Sequence, residues 1–62
     1  MNHVLVVDSD LTTCKQIKYN LQDDTTDVFY TQSVEEAIPM LQKKTYTLVI
    51  LDAFLSKRVE RH

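Results

Sequence analysis

The chain has 62 residues, of which 44% are hydrophobic and 26% are charged, and its formal net charge is −2 at pH 7. This composition is typical of one soluble globular domain and excludes an intrinsically disordered tail. Its basic residues are dispersed and no apolar run approaches the roughly 18 residues of a membrane span, so we expect no direct nucleic-acid partner and no membrane partner.

The first half of the chain predicts a strand, a helix and a second strand. Residues Val4–Val7 form an uninterrupted branched aliphatic run, which is typical of a strand buried on both faces. Residues at helical spacing then predict an amphipathic helix over residues 11–22, capped by Asp10 or Ser9; its apolar stripe is Leu11, Cys14, Ile17 and Leu21. We therefore expect Cys14 to be a small buried hydrophobe rather than a reactive thiol. After a polar cluster, Val28–Thr31 is β-branched and aromatic enough for a short strand.

The second half predicts another helix and a third strand. Ser33 and Glu36 have the spacing of a capping box, in which Ser33 accepts from the amide of Glu36 and the Glu36 carboxylate reaches back to Ser33. A helix should begin there and end near Lys43 and Lys44. Four apolar residues at helical spacing should pack against the sheet: Val34, Ala37, Ile38 and Leu41. Pro39 lies inside it, so we expect a kink or a late, distorted start. Leu48–Leu51 is a second buried-strand pattern.

The alternation of strands and helices predicts an α/β fold with a parallel sheet and right-handed crossovers. If the first strand lies in the middle, in the order 2-1-3, one helix covers each face and the fold has three layers. The carboxyl ends of strands one and three then meet at the edge where open α/β sheets bind ligands. Both of these strands run into acids, so the topology predicts an acidic cluster of Asp8, Asp10 and Asp52.

Clustered carboxylates favour a divalent cation. They repel one another unless a positive charge neutralises them, and Mg²⁺ usually takes one or two carboxylates together with water, carbonyl and phosphate oxygens. An aspartate beside such an ion can also attack phosphorus and form an acyl phosphate. For Asp10 the alternative is that it only caps the first helix. A histidine metal site has little support, because His3 and His62 lie at opposite ends of the chain.

The segments HVLVVDSD, TQSVEEAIPML and YTLVILDAFL together resemble the first half of a response-regulator receiver domain, over residues 3–56. The resemblance implies a flavodoxin-like fold in which Asp52 is the phosphoacceptor of a histidine kinase or phosphotransfer protein, with Mg²⁺ bound. It implies that Asp8 and Asp52 are metal ligands and that Phe54 supplies a backbone carbonyl to the metal. It also implies a signalling module rather than an enzyme. Because the N-terminus lacks the pattern of a signal peptide and no run could span a membrane, we expect a cytoplasmic location.

Several positions depart from the family pattern. Ser9 stands where the family has its second acid, usually the direct metal ligand, so metal binding is weakened unless Asp10 substitutes. Ser56 replaces a usual proline, and the chain contains no glycine. The sequence stops before the fourth and fifth strands, which carry the family's switch hydroxyl and phosphate-contacting lysine, so we expect a truncated, inefficient receiver. Residues 57–62 are interpreted as an irregular basic tail or an artificial boundary.

Two other functions stay open at this point. VLVVDSDLT also resembles the Asp-x-Asp-x-Thr motif of haloacid dehalogenase-like phosphatases, by which Asp8 would be the nucleophile, Asp10 the general acid/base and Thr12 part of the motif. Those enzymes need a loop insertion after the first strand, whereas here a helix is predicted at once. The other alternative is a degenerate receiver that signals by protein binding alone.

The outer edge of the third strand predicts that copies of the chain associate. This edge is expected to be unpaired, apolar and long, which invites pairing with another chain. We therefore expect a homodimer or a domain-swapped assembly through this edge, and partial unfolding where dimerisation is prevented.

Overall fold

Five secondary-structure elements follow one another in the computed structural model, which describes residues 1–52. They are β1 (Asn2–Val7), α1 (Leu11–Leu21), β2 (Thr26–Thr31), α2 (Val34–Lys43) and β3 (Leu48–Leu51). The predicted order is confirmed. The expectation that Leu48–Leu51 is a buried strand is wrong, since Leu48, Val49 and Leu51 are 51%, 42% and 47% exposed because β3 lies at the edge of the sheet. The first two strands begin earlier than predicted, because their polar first residues, Asn2 and Thr26, already pair with each other. The predictions for Phe54, Ser56 and residues 57–62 lie outside the described residues.

The three strands form a parallel sheet in the predicted order, β2-β1-β3. Because β1 lies in the middle, its Val4–Val7 segment is buried on both faces, which explains the uninterrupted aliphatic run. Val7 lies opposite Thr31 of β2 and Leu51 of β3. This register brings the carboxyl ends of all three strands to one edge of the sheet.

The two helices cover opposite faces of the sheet. Alternate side chains of β1 point to the two faces: Val4 and Val6 pack with Cys14 of α1, whereas Leu5 and Val7 pack with Ala37 of α2. The result is a three-layer α/β arrangement that matches the first five elements of a flavodoxin-like fold. Within residues 1–52, neither helix has the length and apolarity to cross a bilayer.

The first helix begins where the sequence predicts and buries the predicted cysteine. Asp10 is the N-cap of α1 and accepts a hydrogen bond from the amide of Thr12. Cys14 is 0% exposed. The two ends of the predicted stripe, Leu11 and Leu21, keep 38% and 40% of their surface exposed, so the buried part of α1 is its middle.

The second helix is capped differently from the prediction. Ser33 Oγ accepts from the amide of Glu36 at 3.1 Å, as expected. The Glu36 carboxylate, however, accepts from the hydroxyl of Thr31 at 2.7 Å, and the amide of Ser33 donates to that same hydroxyl at 3.5 Å. The prediction that the Glu36 carboxylate bonds the Ser33 amide is therefore wrong. The hydroxyl of Thr31, at the end of β2, lies between the two groups and bonds both of them.

Pro39 does not delay the start of α2. The helix begins at Val34, directly after its N-cap, and runs without interruption to Lys43. Since proline has no N–H, the carbonyl of Glu35 loses its usual partner four residues on. The expectation of a late start is therefore wrong, and the helix accommodates Pro39 in its interior.

The buried stripe of α2 is narrower than predicted and differs in composition. Ala37 is buried, and Val34 and Met40 pack against the sheet. Ile38 and Leu41, which were expected inward, are 51% and 45% exposed. The apolar face of the helix is thus wider than the part of the sheet that it covers.

Candidate functional site

The candidate site lies at the carboxyl edge of the sheet, where Asp8 and Asp52 occupy adjacent positions. Asp8 follows β1 and Asp52 follows β3, directly after the paired residues Val7 and Leu51. The amide of Asp52 donates to the carbonyl of Val7 at 2.9 Å, which continues the ladder to this point. Neighbouring strands lie about 4.8 Å apart, so the backbones of the two acids are adjacent at this edge. The predicted placement of strands one and three is confirmed.

Asp8 is held from two sides. Its amide donates to the carbonyl of Thr31 at 3.1 Å, which ties it to β2. Its Oδ1 accepts from the amide of Asp10 at 2.9 Å, which shapes the turn between β1 and α1. One carboxylate oxygen of Asp8 thus serves the local backbone, and the half-buried side chain stays at the edge.

Asp10 uses both of its carboxylate oxygens to start α1. Oδ1 accepts from the amide of Thr12 at 3.0 Å, and Oδ2 accepts from the hydroxyl of Thr13 at 3.1 Å. These are the hydrogen bonds of a helix cap. Each oxygen accepts one hydrogen bond, so each retains a lone pair with which Asp10 could coordinate an ion in place of the acid missing at Ser9.

The edge also contains contacts that the sequence analysis missed. The side-chain amide of Gln32 donates to the carbonyl of Ser9 at 3.1 Å and joins the loop after β1 to the loop after β2. The hydroxyl of Thr31, on a residue only 6% exposed, binds Glu36 as described above. In the sequence, Gln32 could have been identified as a polar residue that directly follows a strand. The bond between Thr31 and Glu36 could not have been predicted, since the sequence pattern already paired Glu36 with Ser33.

Cys14 lies beneath the edge and is a structural residue. Its thiol donates to the carbonyl of Asp8 at 3.3 Å. Burial raises the pKa of the Cys14 thiol, and the negative charge of Asp8 raises it further. A raised pKa keeps the thiol protonated and unreactive near neutral pH. The prediction of a small buried hydrophobe is therefore confirmed.

The donor set at the edge fits a hydrated Mg²⁺ better than a metal held entirely by protein. Within residues 1–52, no three His, Cys, Asp or Glu side chains are grouped so that they could hold a metal ion. Asp8 and Asp52 supply two carboxylates at adjacent positions, which is the number that Mg²⁺ usually takes from a protein before water completes its shell. The third predicted ligand, the carbonyl of Phe54, lies outside the described residues.

Comparison with known proteins gives no match: no protein-family model, no curated protein and no solved structure is similar to this chain. The geometry of the edge and the sequence patterns are therefore the basis for assigning a function.

Proposed function

We propose that this chain is a phosphoacceptor module of two-component signalling, modified on Asp52. One observation carries the proposal: β1 and β3 are parallel neighbours, in a register that puts Asp8 and Asp52 side by side at the carboxyl edge. The resemblance of three sequence segments to a receiver domain supplies the chemistry. The partner would be a histidine kinase or a phosphotransfer protein, and the setting would be the cytoplasm.

The proposed reaction is a phosphoryl transfer to a carboxylate. One oxygen of Asp52 attacks the phosphorus of a phosphohistidine, and a P–O bond forms as the P–N bond breaks. The electron pair of the broken bond returns to the imidazole nitrogen, which takes a proton from solvent. The chain itself turns over no substrate in this step, so it acts as an acceptor and not as an enzyme.

The other residues of the edge would prepare this acceptor. Asp8 and Asp52 would hold Mg²⁺, which supplies positive charge that offsets the carboxylates and the incoming phosphoryl oxygens. Asp8 is positioned for this by its two hydrogen bonds to backbone groups. Gln32 fixes the loop at Ser9, so that the edge keeps its shape when charge is added to it.

A degenerate receiver that acts by binding alone is the second candidate. Ser9 replaces the second acid of the family pattern, and the carboxylate of Asp10 is engaged in capping α1. The serine in place of an acid weakens a metal site, and the cap made by Asp10 supports the fold without any metal.

The phosphatase alternative has less support from the same loop. That family needs an insertion after the first strand and a free general acid two residues after the nucleophile. Here α1 begins at Leu11, directly after Asp10, and Asp10 is its N-cap.

Labelling with a small phosphoryl donor tests the proposal. The chain is incubated with phosphoramidate and Mg²⁺, and the intact mass is measured before and after treatment with hydroxylamine, which cleaves acyl phosphates. We expect one hydroxylamine-sensitive phosphoryl group, lost in Asp52→Asn. Asp24→Asn is the matched control, because Asp24 is an exposed acid far from this edge.

Each outcome separates the candidates. A label on Asp52 supports the phosphoacceptor, and a label that survives in Asp52→Asn but disappears in Asp8→Asn supports the phosphatase. No label on a folded chain, with no effect of Mg²⁺ on its melting temperature, contradicts the proposal and favours the module that acts by binding alone.

A further inference from the structure

The loop that joins β1 to α1 is held by backbone hydrogen bonds at both of its ends. At its start, the amide of Asp8 donates to the carbonyl of Thr31 at 3.1 Å. At its end, the carbonyl of Asp10 accepts from the amide of Cys14 at 3.1 Å. The first bond belongs to the sheet and the second to the helix, so both follow from the fold itself.

The peptide group between Ser9 and Asp10 is held differently, because both of its polar atoms bind side chains. Its carbonyl, on Ser9, accepts from the side-chain amide of Gln32 at 3.1 Å. Its N–H, on Asp10, donates to Oδ1 of Asp8 at 2.9 Å. In a planar trans peptide group the C=O and the N–H point in opposite directions, so these two hydrogen bonds fix the group from its two sides. One rigid group therefore connects Gln32 with the carboxylate of Asp8.

This connection reaches a carboxylate on which the candidate site depends. The two oxygens of Asp8 lie in one plane with their carbon, so the hydrogen bond to Oδ1 also sets the direction of Oδ2. Ser9 supplies no carboxylate beside Asp8. The orientation of Asp8 therefore matters more here than it would in a site with an additional acid at that position.

We propose that Gln32 is a positioning residue of the acidic edge, which holds the Asp8 carboxylate in the orientation that binds Mg²⁺. It acts through the Ser9–Asp10 peptide group and not as a ligand. This role rests on the proposed function, since it requires Asp8 to bind the ion. Without the donor of Gln32 the peptide group is fixed from one side only, and the Asp8 carboxylate samples more than one direction. The apparent affinity for the ion then falls with the fraction of chains whose carboxylate is correctly oriented.

The alternative is that Gln32 only joins two loops, and the chain offers a matched glutamine for that comparison. Gln22 is exposed, as Gln32 is, and its side-chain oxygen accepts from the amide of Val28 at 3.2 Å. This bond joins the end of α1 to β2. It lies away from the acidic edge, since Val28 precedes the last residue of β2, Thr31, by three positions.

The test replaces each glutamine by methionine, which keeps the length of the side chain and removes its polar atoms. Two quantities are measured by NMR. The proton chemical shift of the Asp10 amide reports its hydrogen bond to Asp8, and a titration with magnesium chloride, followed on the amides of Asp8 and Asp52, gives the dissociation constant. We expect Gln32→Met to move the Asp10 amide proton upfield and to raise the dissociation constant several-fold, up to about tenfold, as for other groups that orient a metal ligand. Gln22→Met should change neither quantity.

Gln32→Arg separates the hydrogen bond from the substitution itself. Arginine carries N–H donors for the Ser9 carbonyl, so it should return the Asp10 amide proton toward its wild-type position. Its positive charge disfavours a cation directly, so this variant is judged by the amide shift and not by the affinity for Mg²⁺. An amide shift in Gln32→Arg that equals the shift in Gln32→Met overturns the proposal.

The remaining outcomes distinguish this role from the function on which it rests. An Asp10 amide proton that does not move in Gln32→Met overturns the connection through the peptide group. Equal affinity for Mg²⁺ in wild type and Gln32→Met overturns the positioning role and leaves the proposed function standing. An equal loss of affinity in Gln22→Met does the same, because it reports a general loss of stability. A folded wild-type chain that does not bind Mg²⁺ contradicts the proposed function, and the role of Gln32 is overturned with it.

Discussion

Asp10 has two candidate roles, as the N-cap of α1 and as a metal ligand, which involve the same carboxylate oxygens. As the N-cap it uses both of them, and its replacement by alanine should lower the free energy of unfolding by about 1 kcal/mol, measured in urea. Asp10→Ser should recover most of that loss, because serine also caps helices. Serine has no carboxylate, so a Mg²⁺-induced rise in melting temperature that survives in Asp10→Ser shows that Asp10 is not a ligand. If that rise disappears, Asp10 substitutes for the acid missing at Ser9.

Cys14 should make the stability of the protein depend on pH. Its folded pKa is raised above the ordinary value of 9.0 by burial and by the charge of Asp8. Above pH 9.0 the unfolded thiol loses its proton first, so the folded state binds more protons and stability falls as the pH rises. We expect wild type to lose stability over this range more steeply than Cys14→Ala, in urea titrations at matched pH values. Parallel slopes would show that the thiol does not contribute.

Among the elements, α2 carries an interior proline that its fold tolerates. Pro39→Ala restores an N–H that can bond the carbonyl of Glu35, and a proline inside a helix costs about 3 kcal/mol relative to alanine. Proline also restricts the unfolded chain, which returns about 0.4–1 kcal/mol of that cost. We therefore expect Pro39→Ala to raise the free energy of unfolding by about 2 kcal/mol. Gln42→Ala, an exposed change in the same helix, should alter it little, and equal effects of the two would contradict this explanation.

The elements also show which features sequence can predict. The bounds of β3 follow from a run of four aliphatic residues, and Asp8 and Asp52 could be placed together because parallel strands deliver their ends to one edge. Periodicity could not show that Ile38 and Leu41 stay exposed. A helical pattern identifies the apolar face of α2, but the width of sheet beneath it decides how much of that face is buried.

Side-chain partners are less predictable still. The carboxylate of Glu36 accepts from the hydroxyl of Thr31 and not from the amide of Ser33, because the end of β2 places that hydroxyl beside it. Likewise, the bond from Gln32 to the carbonyl of Ser9 joins residues far apart in the sequence. Such pairs follow from the assembled edge and not from any local pattern.

For the molecule as a whole, small size makes stability sensitive to anything that binds the folded state. A chain of about 60 residues buries only about 60% of the surface that its unfolded form exposes, so its margin of stability is small. Several large aliphatic side chains also stay near half exposed on the side of β3 and α2. The dimer that the apolar edge of β3 predicts should therefore contribute a large fraction of the total free energy of unfolding.

Linkage makes this measurable without separating monomer from dimer. Because the dimer forms only from folded chains, mass action raises the melting temperature as protein concentration rises. We expect such a rise for wild type, followed by far-UV circular dichroism over a series of micromolar concentrations. Tyr19→Lys should behave like wild type, because Tyr19 is 87% exposed on α1 and not on β3. Val49→Lys should melt at one temperature throughout the series, because it puts a positive charge on the exposed edge strand β3 of each copy. A concentration dependence that persists in Val49→Lys would place the association on a surface other than the edge of β3.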